Sequence, residues 1–186
     1  MRKKLSEMTL EELWQLFPIF LTEHQDSWKE WYLEEEHLLK KVMSKNERIS
    51  HIGSTAVHSI WAKPIIDILL EVPRESDLLY YKDLIINSGY ICMSQTENRL
   101  SFNKGYTENG FAKRVFHLHL RYEGDNNELY FRDYLIEQPD VAKEYEELKF
   151  KLWKKYEHNR DAYTNGKTEL VKKYTEKAKI LYRNRY

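Results

Sequence analysis

The residues at positions 65–72 constrain the fold more than any other part of the chain. They are apolar except for Asp67 and Glu71, and a short apolar run of this length predicts a β-strand that is covered on both faces. An unpaired carboxylate in such a strand is costly. Asp67 therefore needs a partner, and the candidates are a basic side chain, a helix N-terminus or a metal ion.

The remaining pattern predicts an α+β fold in one domain. Residues 1–45 are helical in pattern, with capping signals at Thr9 and Ser27, residues 46–122 form a sheet-rich core, and residues 123–186 are helical again. The predicted strands are 48–52, 65–72, 90–94, 99–104 and 113–121, and the predicted helices include 73–87, one that begins at Pro139 and one that begins near Lys167.

Composition excludes several classes of partner. Lys and Arg together number 30, as do Asp and Glu, so the net charge is zero and no overall field attracts nucleic acid or an anionic membrane. The longest apolar run is far shorter than the ~20 residues of a membrane helix. The N-terminus has positive charge but no apolar block, and the single cysteine, Cys92, cannot form an internal disulfide. A cytoplasmic location is expected.

The turn at Gly53-Ser54 is the first candidate site. A Gly-Ser turn between a strand and a helix exposes backbone amides, a hydroxyl and a helix N-terminus, which together suit a phosphate. Gly-Ser is also a common turn pair, so a purely structural turn remains an alternative. Lys63, before the next strand, favours the phosphate site because it could neutralise the same anion.

Two histidines form the second candidate. His117 and His119 project from one face of the predicted strand 113–121, with Cα atoms ~6.5–7 Å apart. They could hold one substrate or one metal ion, or they could belong to a hydrogen-bonded sheet face. If this strand lies beside strand 65–72, Asp67 completes an Asp/His/His cluster beside Gly53.

Several basic residues could complete an anion pocket. Arg99, Lys104 and Arg114 lie on or near the predicted strands, and a bulge after Leu100 would bring the first two to the open face. Ion pairs with surface carboxylates explain them equally well.

A set of motifs resembles the GrpB family over about residues 48–178. The motifs are His51-Ile-Gly-Ser-Thr-Ala-Val57, Lys63-Pro-Ile-Ile-Asp67, Arg99-x-x-Phe102-x-Lys104, His117-Leu-His119, Phe131-Arg-Asp-Tyr-Leu135 and Ala162-Tyr-Thr-x-x-Lys167-Thr168. The resemblance implies a nucleotidyltransferase-like mixed β-sheet flanked by N-terminal and C-terminal helices. It places Gly53 and Ser54 at the Gly-Ser motif of that fold and Asp67 at its first metal-binding carboxylate. Tyr163 and Lys167, which belong to the family pattern, are outer candidates for the site.

One position departs from the nucleotidyltransferase pattern. The second carboxylate normally follows two residues after the first, where this chain has Leu69, so an ordinary two-metal arrangement is in doubt. A divalent metal is still expected, Mg²⁺ or Mn²⁺ with a bound nucleotide or Zn²⁺ through the imidazoles, and no organic cofactor.

Three functions remain open after the sequence is read. The first is a metal-assisted nucleotidyltransferase-like enzyme, in which Asp67, His117 and His119 bind the ion or position the nucleophile. The second is a module that binds a nucleotide or phosphorylated metabolite without catalysis, and the third is a structural domain with no ligand.

Overall fold

The computed structural model describes residues 3–44, 46–183 and 185–186, and Met1 and Arg2 of the charged N-terminal segment lie outside this range. Five strands form one mixed sheet in the order β1-β2-β5-β4-β3. The strands are β1 (Arg48–Ile52), β2 (Ile66–Val72), β3 (Ile91–Gln95), β4 (Arg99–Thr107) and β5 (Gly110–Tyr122). β2 and β5 are parallel and the other neighbours are antiparallel. The predicted α+β fold, a mixed sheet with helices before and after it, is confirmed.

Seven α-helices accompany the sheet in the described residues. They are α1 (Leu10–Leu16), α2 (Ser27–Lys40), α3 (Leu78–Asn87), α4 (Asn127–Glu137), α5 (Pro139–Tyr156), α6 (Arg160–Asn165) and α7 (Thr168–Leu181). None of the helices in residues 3–44, 46–183 and 185–186 combines the length and apolarity needed to cross a membrane.

Helix starts follow the local capping groups. Thr9 forms the predicted capping box with Glu12. The capping signal at Ser27 was wrong, because Ser27 is the first helical residue and Asp26 occupies the cap without a side-chain bond. α3 begins later than predicted because the Asp77 side chain accepts from the backbone N–H of Leu79 at 2.8 Å.

The two faces of the sheet have different environments. On one face, alternate β2 residues such as Ile66 and Ile68 pack with Trp28 and Tyr32 of α2 and Ile85 of α3 in the largest apolar core. On the other face, Leu69 packs with Leu129 of α4. The period of two therefore directs Asp67 and Leu69 toward the C-terminal helices.

The parallel pairing of β2 and β5 sets the positions of the polar side chains on that face. Asp67 lies opposite His117, and Leu69 lies opposite His119. Glu71, the other carboxylate of β2, is fully buried and is held by Arg48 Nη2 at 2.5 Å and by Asn126 Nδ2 at 2.9 Å. Glu71 therefore has a structural role, because both of its oxygens already have partners.

Candidate functional site

A cavity of about 840 Å³ lies against the sheet face that carries Asp67. One wall comes from β2, β5 and the turn after β1, and the other comes from α4, α5, α6 and α7. The charged residues that line it, apart from the histidines, are Lys63, Arg132, Lys149, Arg160, Lys167, Lys172, Lys179, Asp67, Glu128 and Glu176. Seven basic residues thus face three acidic ones, which makes the cavity suited to an anion.

Asp67 and the two histidines meet at the floor of this cavity. Asp67 Oδ1 lies 3.2 Å from His117 Nδ1 and 3.8 Å from His119 Nε2. Burial raises the pKa of Asp67, but the interactions with His117 and His119 outweigh it and hold that pKa well below its usual range. The carboxylate therefore remains ionised at neutral pH.

His117 is fixed in one tautomer by its neighbours. Its Nε2 lies 2.8 Å from the Tyr106 hydroxyl and 3.2 Å from Arg160 Nη2. A guanidinium can only donate, so Nε2 accepts and Nδ1 carries the proton that is donated to Asp67. Burial lowers the pKa of His117 and favours this neutral form. Both ring nitrogens of His117 are thus engaged within the protein.

The predicted three-ligand metal site is not formed by these side chains alone. Asp67, His117 and His119 do not bring one donor atom each within 4.8 Å of one another. His119 Nδ1 is also 3.5 Å from Arg121 Nη2. Asp67 remains the side chain of this group best suited to a metal, because its carboxylate is ionised and faces the cavity.

Gly53 brings the turn after β1 directly against Asp67. A Cβ atom at Gly53 would lie 2.4 Å from Asp67 Oδ2, and the backbone has a φ of 71°. Only glycine fits both requirements without strain. The next residues, Ser54–Ala56, form a single 3-10 turn and not the predicted helix, so this turn does not present an α-helix N-terminus to an anion.

Lys149 is a pocket residue that the sequence interpretation missed. It lies in α5, is buried, and donates from Nζ to Ser54 Oγ at 3.1 Å and to the Trp61 carbonyl oxygen. Burial, aided by Lys167, lowers its pKa to about 7. Its spacing in the sequence could have revealed this position. Lys149 follows Tyr145 by four residues and precedes Leu152 by three, so it lies on the buried side of α5.

Lys63 lies in the cavity as predicted, among other cations. Its Nζ is 5.2 Å from the centre of the Tyr163 ring, and Lys167 Nζ is 4.6 Å from the same ring. Burial and the charges of Lys167 and Arg160 lower the pKa of Lys63 well below its usual value. The two outer candidates, Tyr163 and Lys167, are therefore part of the cavity wall.

Three predicted anion-binding residues lie elsewhere. Arg99 is paired with Asp125 at 2.5 Å, Lys104 with Glu35 at 2.7 Å, and Arg114 with Glu34. None of the three lines the cavity.

The position of the β4 bulge explains why Lys104 lies on the wrong face. The register shifts between Lys104 and Tyr106, not after Leu100. Lys104 therefore keeps the parity of Phe102 and points toward α2, where Glu35 lies.

The fold and the site define an α+β protein with a cation-lined cavity over one face of a mixed sheet. The chain belongs to the GrpB family: the family described as "GrpB protein" matches residues 18–177.

Relatives of known sequence or structure support this assignment. The glutamate-rich protein GrpB of Alkalihalophilus pseudofirmus is 36% identical over 161 residues, which are 82% of this chain and 91% of that protein. YqkA of Bacillus subtilis is 32% identical over 95% of this chain, but the match spans only 52% of YqkA. The crystal structure of GrpB from Enterococcus faecalis aligns with a TM-score of 0.75 at 31% identity, over 88% of this chain and 99% of that one. The RNA terminal uridylyl transferase Cid1 aligns with 78% of this chain and 45% of its own at 12% identity and a TM-score of 0.49, which is too distant to bear on activity.

Proposed function

We propose that this protein binds a nucleotide or a phosphorylated metabolite in the cavity between the sheet and the C-terminal helices, with assistance from a divalent metal. The observation that carries the proposal is the charge of the cavity, where seven basic side chains line about 840 Å³ together with three acidic ones. The chain as a whole has no net charge, so this excess is local to the cavity.

The cations at one end of the cavity are poorly neutralised by the protein itself. Lys63, Lys149, Arg160 and Lys167 form no ion pair with a carboxylate within the described part of the chain. Burial, and then the charges of the other three, lower the pKa of Lys63. A phosphate group bound among these four side chains would offset the repulsion between their positive charges. It would also raise the pKa of each lysine amine.

The metal requirement rests on Asp67. A single protein carboxylate holds Mg²⁺ or Mn²⁺ weakly, but such ions are commonly bound by one or two carboxylates together with substrate phosphates. Asp67 is ionised and borders the same cavity as Lys63 and Ser54. A bound ion would bridge Asp67 to the phosphates and offset their negative charge.

The reaction class we propose is nucleotidyl transfer, and binding without catalysis is the second candidate. Leu69 favours the second candidate because it occupies the place of the second carboxylate and is fully buried against Ile52 and Leu129. The apolar side chain of Leu69 offers no ligand for a second metal ion. In the catalytic case, we assign the positioning of a nucleophile to His119, because its Nε2 lies 3.8 Å from Asp67 Oδ1, beyond hydrogen-bond distance, whereas both nitrogens of His117 are engaged.

Ligand binding and turnover can be measured separately. The probes are ribonucleoside triphosphates and inorganic pyrophosphate, each with Mg²⁺, Mn²⁺ or Zn²⁺. A ligand that binds the folded protein raises the thermal midpoint, and phosphorus NMR detects any product. We expect a metal-dependent midpoint shift with at least one triphosphate. Transfer of the nucleotidyl group to a hydroxyl acceptor releases pyrophosphate, so turnover is measured with such an acceptor added, and a shift without released pyrophosphate would favour the binding module.

The variant Asp67→Asn tests the metal role. It should keep the thermal midpoint of the free protein within a few degrees and lose the metal-dependent part of the ligand shift, together with any turnover. Asp83→Asn, an exposed substitution on α3, is the matched control and should behave as wild type. Full metal dependence in Asp67→Asn would refute the role, and a wild-type protein that no probe stabilises would refute the proposed ligand class.

A further inference from the structure

A second group of metal-ligating side chains lies outside the cavity, near the start of α2. His24, Asp26 and His58 can each place one donor atom within 4.8 Å of the other two. His24 and Asp26 precede α2, and His58 follows the 3-10 turn at Ser54–Ala56. None of the three lines the cavity described above.

The His24 ring provides independent evidence for a ligand. Both of its nitrogens are inaccessible to solvent and have no hydrogen-bond partner. Its ring lies 4.4 Å from the His58 ring and meets Trp28 edge-on at 5.1 Å. Buried polar groups are almost always satisfied, and the unpaired nitrogens of His24 beside two other donors are available to a ligand.

We propose that His24, Asp26 and His58 form a binding site for a late first-row divalent cation, of which Zn²⁺ is the probe. Two imidazoles and one carboxylate suit Zn²⁺, Ni²⁺ or Cu²⁺, whereas Mg²⁺ and Ca²⁺ prefer oxygen ligands. Zinc ligands lie ~2.0–2.2 Å from the ion, so the donor atoms must approach a little more closely. Asp26 and His58 are exposed to solvent.

A bound ion would connect two separate segments of the chain. His24 and Asp26 belong to the approach to α2, and His58 belongs to the segment that leaves the Gly53 turn. The ion would therefore fix the start of α2 to the loop that borders the cavity. This effect does not depend on what the cavity binds.

The site is tested by zinc binding to the purified full chain. Chelator competition should give one tight Zn²⁺ equivalent in the wild type, unaffected by excess Mg²⁺. His58→Ala should lose this equivalent or weaken it at least tenfold. His37→Ala, which removes an exposed histidine of α2, is the matched control and should bind as wild type. Asp67→Asn should also keep the equivalent, which separates this site from the cavity.

Thermal stability provides a second measurement. With free Zn²⁺ at about 100 times the dissociation constant, the midpoint of the wild type should rise by roughly 5–10 °C. The midpoint of His58→Ala should not rise. Equal zinc affinity and equal stabilisation in wild type and His58→Ala would overturn the proposal, as would loss of the tight equivalent in Asp67→Asn but not in His58→Ala.

Discussion

Replacing Lys149 by methionine should stabilise the protein at neutral pH while it weakens ligand binding. Burial lowers the pKa of this amine from 10.5 to about 7, and each tenfold change in proton affinity is worth about 1.4 kcal/mol, so keeping a lysine here costs about 4 kcal/mol at pH 7. The substitution also removes two hydrogen bonds, to Ser54 Oγ and the Trp61 carbonyl, worth about 1 kcal/mol each, and it leaves that carbonyl partly unpaired. The net gain is about 1–2 kcal/mol, or roughly 2–8 °C in the thermal midpoint.

The pH dependence makes this prediction sharper. Because the folded protein binds fewer protons at Lys149 than the unfolded chain does between pH 7 and 10.5, wild-type stability should rise relative to Lys149→Met across that range. The advantage of the variant should shrink by about 3 kcal/mol by pH 10 and reverse in sign.

Urea unfolding at pH 7 and pH 10, followed by circular dichroism, measures both values. Lys151→Met, at an exposed position of the same helix, controls for the loss of a lysine and should change stability little at either pH. Triphosphate binding should weaken about tenfold in Lys149→Met only, since it loses a charge-assisted contact. A variant that is less stable than wild type at pH 7, or one that binds the triphosphate equally well, would show that the role assigned to Lys149 is wrong.

Three further predictions concern the same region. Gly53→Ala should lose at least about 1–2 kcal/mol of unfolding free energy, because a left-handed backbone is unfavourable for alanine and its Cβ atom would strike Asp67; unchanged urea stability would contradict this. Burial lowers the pKa of His51 to about 4, so the unfolded chain binds a proton there more readily than the folded protein does. As the pH drops from 6.5 to 4, the unfolding free energy of the wild type should fall about 3 kcal/mol more than that of His51→Gln. Parallel curves of stability against pH for the two proteins would exclude the effect. Arg160→Ala should weaken triphosphate binding about tenfold in calorimetry, whereas Arg114→Ala should leave the affinity unchanged. A loss of affinity in Arg114→Ala but not in Arg160→Ala would place the anion site at the sheet edge instead of in the cavity.

Much of the fold can be predicted from local patterns. The apolar run at 65–72 indicated the central strand, and the structure places it at Ile66–Val72 with neighbours on both sides. The short helix α6 was not predicted, because its six residues are too few for a period of 3.6 to be recognised. Its start depends on Asn159, whose side chain accepts from the backbone N–H of Ala162 at 3.0 Å.

The sequence identified one wall of the candidate site better than the other. Asp67 and His117 could be placed together because strand alternation and one assumed pairing are enough to do so. Lys149 and Arg160 could not, since their positions depend on how α5 and α6 pack on the sheet. The prediction for Lys104 was wrong for a similar reason. A bulge shifts the register of β4, and the place of that bulge is set by Gly105 and its neighbours and not by a simple period.

The division of the cavity between two layers has a consequence for how the molecule holds together. The Asp67 carboxylate lies on the sheet, whereas most of the basic side chains lie on helices formed by the last third of the chain. These basic side chains repel one another, and this repulsion opposes close packing of the C-terminal helices around the cavity. An anion bound in the cavity would therefore stabilise the packing of these helices on the sheet. The stability of the C-terminal helices would then depend on whether the cavity is filled.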